Sequence, residues 1–193
     1  MKNLILIAAL FSFNSMAKVV KPVKSNETKE MKVERVTKSL AYFEEMTKVI
    51  QHPRCLNCHP GGDRPTQGMD MHVHQMNVQR GENGDGSVGM KCSTCHQDEN
   101  NASSGVPGAP RWMLAPKTQA WQGKTKGQIC RQLKDTKKTH MTLEELIHHN
   151  GEDELVGWGW NPGLGREPVP GTQKQFGEIT AQWIATGAEC PKI

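Results

Sequence analysis

The chain has 193 residues, enough for one domain or two very small ones, and its formal charge of +4 is too small to point to nucleic acid. Only 5% of the residues are aromatic, whereas 19 are Gly and 11 are Pro, so little apolar side chain is available to offset the entropy of ordering so much loop. This balance argues against a large conventional core and leaves room for a bulky apolar cofactor to complete one.

The first residues read as an export signal. Lys2 supplies a basic start, residues 4–13 are apolar, and Ser15 and Ala17 place small residues where a signal peptidase reads, so residues 1–17 are expected to be removed. A membrane anchor is the weaker reading, because the apolar run is too short to cross a bilayer. No later stretch has 18 consecutive apolar residues, so a soluble, periplasmic mature protein is expected. Residues 18–35 are polar and Lys-rich and read as a flexible N-terminal segment. The folded domain is expected over 36–193. It opens with a helix on which Val36, Leu40, Phe43, Met46 and Ile50 recur at helical spacing, and which Pro53 stops.

Directly after that helix comes Cys55-Leu56-Asn57-Cys58-His59, and the same pattern returns as Cys92-Ser93-Thr94-Cys95-His96. This is C-x-x-C-H, the attachment motif of c-type haem. Two thiols add to the two vinyl groups of one porphyrin, and the following histidine lies under the iron as proximal ligand. At this chain's own Cys and His frequencies a single chance match has odds of about one in a hundred, and two are far rarer. A zinc site from the four thiols leaves both histidines unexplained. A thioredoxin-like pair would need a βαβ setting that is not visible, and two ordinary disulfides remain a minor alternative. Two covalently bound haem c groups are therefore expected, held by Cys55, Cys58, Cys92 and Cys95, with His59 and His96 on the irons. Loss of Lys2 and gain of four propionates would bring the holoprotein near neutrality.

Only 32 residues separate His59 from Cys92, too few for a complete single-haem cytochrome fold, so both haems are expected in one domain and close together. Within that interval residues 81–89 (GENGDGSVG) resemble a calcium loop faintly but lack its closing acidic residue. They read as a tight turn that lets backbone approach a porphyrin. Residues 100–127 are irregular and suit a segment wrapping haem edges. Short helices are expected at about 126–134 and from Thr142, where Thr142 to Glu145 forms a capping box, to about Asn150-Gly151. A last helix is expected over 172–186, with Phe176, Ile179, Trp183 and Ile184 on one face. No β-alternation stands out: the fold class is mostly α with long irregular loops. In an oxidising compartment Cys130 and Cys190 default to a disulfide, free thiols being the alternative.

The distal ligands are less directly readable. His149 lies nearer the apolar face of its helix than His148, and His74 sits in the interval between the motifs, so both are candidate distal iron ligands; otherwise they are a solvated helix-end histidine and a surface-loop histidine. His52 and Met90 are weaker candidates for the haem of the other motif. The remaining methionines read as packing. Trp112, Trp121, Trp158, Trp160 and Trp183 read as core or haem-packing residues. Arg54, Arg64, Arg80 and Arg111 offer themselves to propionates.

Blocks spread over residues 52–191 resemble a family of small bacterial periplasmic dihaem cytochromes: HPRCLNCHP at 52–60, NVQRG at 77–81, GMKCSTCHQDEN at 89–100, GAPRWMLAP at 108–116, CRQLKD at 130–135, LVGWGWNPGLGR at 155–166 and TGAECP at 186–191. Members are sometimes labelled as a subunit of an isoquinoline 1-oxidoreductase type of molybdenum hydroxylase. The resemblance implies an electron acceptor for such an enzyme, and histidines at the positions of His74 and His149. Nothing in the chain resembles a molybdopterin or iron–sulfur domain. The expected function is electron transfer from a periplasmic dehydrogenase or hydroxylase to another cytochrome or oxidase, with docking aided by the basic stretch 124–138. The rival is a small peroxidase or nitrogen-oxide reductase with one open iron and His72 or His140 as acid–base group. A redox or gas sensor would need an output domain that is not visible.

Overall fold

A computed structural model describes residues 27–193. The expected export signal and the first half of the expected flexible segment, residues 18–26, lie outside the described residues. Helix takes up 45% of the described residues and strand 5%, the rest being long loops. Among the described residues no helix is long and apolar enough to cross a membrane.

The first helix, α1 (Lys29–Ile50), starts earlier than its apolar spacing suggests and takes in the end of the segment expected to be flexible. Its first turns carry no apolar stripe; long-range polar contacts hold them instead. Arg35 pairs with Glu27 at 2.8 Å and Glu189 at 3.2 Å, and donates to the Thr186 carbonyl at 2.9 Å. Thr28 caps the helix by accepting the Met31 N–H. A single turn, α2 (Pro53–Leu56), follows and presents the first motif. Two minimal hairpins fill the interval between motifs: β1 (Thr66–Gln67) with β2 (His72–Val73), and β3 (Gly86–Ser87) with β4 (Met90–Lys91).

Beyond the second motif, α3 (Lys126–Lys134), α4 (Thr136–Thr139), α5 (Leu143–Glu152), α6 (Glu154–Gly157) and α7 (Gln173–Ala185) complete the chain. The capping box of Thr142 and Glu145 is present, and Thr125–Gln128 and Thr172–Gln175 repeat it. These boxes satisfy the bare amides of each first turn and set where the helices begin.

The helices share one core. Phe43, Met46 and Ile50 of α1 meet Ile129 and Leu133 of α3, Leu146 of α5, and Phe176 and Trp183 of α7. Trp183 is fully buried, lies against Phe43 with ring centroids 5.4 Å apart, and donates its indole N–H to the Glu189 carbonyl. The Cys130–Cys190 disulfide forms as expected, tying α3 to the C-terminal tail.

The crossing of α5 and α7 matters most for function, because α5 carries His149. Gly151 and Gly177 face each other there, and a Cβ on Gly177 would stand 2.6 Å from the Gly151 Cα. One turn farther, Asn150 donates to the buried Thr180 hydroxyl at 3.0 Å. Gly177→Ala should therefore destabilise, by about 1–3 kcal/mol of overpacking, although alanine gains about 1 kcal/mol in helix propensity. Urea unfolding of the intact protein checks the sign; a stabilised variant would mean that the helices part freely.

Candidate functional site

Both motif histidines are built into the same local arrangement. His59 places Nδ1 2.7 Å from the Gln119 carbonyl oxygen and lies parallel to the Trp121 indole, with ring centroids 3.4 Å apart and planes 8° off. His96 places Nδ1 2.7 Å from the Pro107 carbonyl oxygen and lies parallel to Trp112, at 4.5 Å and 7°. A carbonyl can only accept, so Nδ1 carries the proton in each ring and the lone pair of the neutral imidazole sits on Nε2. Burial pushes the His59 pKa down to about 3, against the Gln119 carbonyl, which favours the charged ring. Burial likewise lowers His96. Both rings are thus neutral at pH 7 and hold the form that binds a metal.

One irregular segment, residues 107–122, serves both histidines. It supplies both accepting carbonyls and both indoles, and it is pinned to each motif. Ala115 N–H donates to the Cys58 carbonyl at 3.1 Å, and Trp121 N–H to the His59 carbonyl at 3.0 Å. Leu114 N–H donates to the Gly84 carbonyl at 2.9 Å. Gly84 has φ +83, and a Cβ there would meet the Leu114 carbonyl oxygen at 2.6 Å. Within the glycine-rich turn of residues 81–89, Gly84 thus brings backbone against backbone. Its Asp85 is bound by the Lys91 ammonium at 2.9 Å.

The four motif thiols are free, three of them half-buried and Cys95 exposed. Burial raises Cys55 to about 12, and burial with neighbouring Cys92 raises Cys58 to about 11, so these sulfurs are protonated thiols. Among the described residues no three Cys, His, Asp or Glu side chains gather as a metal site. A four-thiol zinc centre would need such a group, whereas haem supplies four ligands to its own iron and asks the chain for two.

Of the candidate distal ligands, His74 lies beside His96, with ring centroids 6.0 Å apart and planes crossed at 70°. Its Nδ1 is bonded to the Gln75 carbonyl oxygen at 2.8 Å. His149 is half-buried and pushed down by burial, and its charge lowers His59 further. The other histidines are committed elsewhere. His52 caps α2 by accepting the Arg54 N–H, His72 pairs with Asp70 at 2.7 Å on the surface, and exposed His148 pairs with Glu152. His140 ends α4 in the left-handed conformation, φ +59. Met90 is exposed on β4.

The arginines divide in the same way. Arg54 donates to the Glu167 carbonyl at 2.8 Å and lies over Trp158, whose ring meets Trp112 edge-on. Arg111 pairs with Asp153 at 3.0 Å. Arg80, only 6% exposed, donates to the Gly62 and Ala115 carbonyls, with Asp63 at 3.9 Å. Arg64 donates Nη2 to the His74 carbonyl at 2.9 Å, while its buried Nε–H has no partner among the described residues. That orphan is an arginine donor suited to an anionic group; the other, Arg80 Nε, faces Asp63 at 3.9 Å. In the basic stretch of residues 124–138, Lys126, Arg131, Lys134 and Lys138 are engaged within the protein.

The C-x-x-C-H residues were legible in the sequence. The accepting carbonyls of Gln119 and Pro107 were not, since a backbone acceptor leaves no mark on side-chain identity. Asn57 was also missed: inside the first motif, it holds the β1–β2 hairpin through Gly68 O and Thr66 Oγ1, at 3.0 and 2.8 Å. A cavity of about 680 Å³ opens between residues 99–106 and 160–168 and is lined by no motif residue.

The chain matches no protein-family model, no curated protein and no solved structure.

Arg80 joins the loop after the first motif to the shared segment, so its loss should loosen both histidines. Arg80→Met is expected to cost about 1–3 kcal/mol in all, for the two partly covered carbonyls left bare. The midpoint of chemical unfolding reads this directly, and an unchanged midpoint would show that the loops hold without it.

Proposed function

We propose that this protein is an exported dihaem c-type cytochrome that transfers electrons, taking them from a periplasmic dehydrogenase or hydroxylase and passing them to another cytochrome or oxidase. The observation that carries the reading is the twin construction of His59 and His96. Each follows a pair of free thiols, each is desolvated, each gives Nδ1–H to a carbonyl, and each is backed by a parallel indole. That environment suits a neutral axial ligand whose orientation and basicity are set by its outer partner. Cys55 and Cys58 would hold one haem and Cys92 and Cys95 the other, each group supplying a one-electron iron couple tuned by ligand, hydrogen bonding and burial.

The chain's own residues do the rest. Trp121 and Trp112 keep the rings from turning and keep water from their faces. Arg64 presents a buried N–H suited to a propionate. His74 and His149, near the two motif histidines, would close the remaining iron positions and leave no open site for turnover. The acid–base groups required by the rival enzyme reading are a helix end, His140, and a surface ion pair, His72.

Expression in a strain that matures cytochromes c tests this. The mature chain should carry two covalent haems by intact mass and haemochrome spectrum. Cys55→Ser with Cys58→Ser, or Cys92→Ser with Cys95→Ser, should leave one. A chain that matures without any haem would end the reading. Carbon monoxide added to the reduced protein should leave the spectrum unchanged, and a shifted Soret band would favour an open iron and an enzyme.

A further inference from the structure

We infer that the two irons have fixed and different axial pairs, His96 with His74 and His59 with His149. The inference rests on the dihaem reading and deepens it by assigning each distal ligand to its haem.

The geometry of the first pair is the starting point. A histidine nitrogen binds a transition metal at about 2 Å, and the ring centroid lies roughly 1 Å farther, so two imidazoles across one iron have centroids about 6 Å apart. His74 and His96 stand at 6.0 Å with planes crossed at 70°, the separation that an iron between them would set. Each already gives its Nδ1–H to a carbonyl, Gln75 or Pro107, so each has Nε2 to offer.

His74 is also held at some conformational cost. Its N–H donates to the Pro65 carbonyl at 3.0 Å, and its own carbonyl accepts from Arg64 at 2.9 Å. Around it Met71, Met76 and Asn77 have φ of +53, +61 and +53, a left-handed backbone that methionine rarely adopts. Such strain persists only where the surroundings enforce it, and it gathers at ligand clamps and active sites. Asn57, from the first motif, anchors the same hairpin, so the chain around one haem aims the ligand of the other.

His149 reaches its place differently. It stands on α5, locked to α7 at Gly151–Gly177 and Asn150–Thr180, and turns inward while His148 turns to solvent. With His74 set against His96, His149 is the candidate distal histidine that remains for His59. One distal ligand thus rides on a strained loop and the other on a packed helix.

The test uses the matured dihaem protein with indole-15N tryptophan. His74→Ala should leave one of the two haems low-spin, turn the other high-spin and able to bind carbon monoxide, and broaden the indole resonance of Trp112 while sparing Trp121. His149→Ala should do the reverse. The swapped pattern, or full six-coordination retained in His74→Ala, overturns the inference. Should His149→Ala fail to mature, His74→Ala still decides, because the opened iron must lie beside Trp112. A third protein lacking Cys92 and Cys95 should keep its remaining haem six-coordinate when His74→Ala is added, and an opened iron there counts against the pairing. Wild-type protein without covalent haem would remove the parent reading; two haems with swapped ligands would remove only the pairing.

Discussion

The Nδ1–H of each motif histidine is given to a backbone carbonyl, Gln119 for His59 and Pro107 for His96, and much of the chain is arranged around that bond. A carbonyl can serve in this way only if its own segment is held still. Residues 107–122 form only one short 3-10 turn, Lys117–Gln119, so neighbours hold the segment: the Cys58, His59 and Gly84 carbonyls accept from it, and Arg80 donates to it. Because a single segment serves both histidines, the two centres are parts of one unit.

Two kinds of order meet in this fold. The helices α1, α3, α5 and α7 bury a conventional apolar core around Trp183 and Phe43, closed by the Cys130–Cys190 disulfide. The stretch from residue 57 to 122 has two minimal hairpins and is held mainly by backbone bonds, buried arginine and paired aromatic rings. Its exposed Met69, Val73, Met76 and Val88 fit a region whose own side chains do not close a core. The sparse aromatic content is consistent with this division: two of five tryptophans back histidines, and Trp158 bridges Trp112 to Arg54 beside the first motif. The helical half positions His149 and the loop half positions His74.

Much of the helical half was legible. The capping box of Thr142 and Glu145, the apolar face of Phe176 and Trp183, and the stop before Pro53 depend on residues a few positions apart, and α5, α7 and α1 follow them. The start of α1 was not legible, because its first turns are held by Glu189 and Thr186, some 150 residues away. The turn at residues 81–89 was read correctly as tight, but its packing on Leu114 was not legible. Gly84 admits the Leu114 backbone, and nothing local in the sequence names that neighbour.

By itself the sequence supplied the twin C-x-x-C-H motifs on which the proposed haem attachment rests, since they act through side-chain identity at short spacing, and it also marked the cysteines that pair. Tertiary structure alone decided which carbonyl orients each histidine, which indole backs it, and that His74 comes to lie beside His96. Those partners lie 11 to 62 residues from the motif histidines they serve, and several act through backbone atoms that every residue possesses. Only the folded chain, by bringing them within bonding distance, sets them apart from their neighbours.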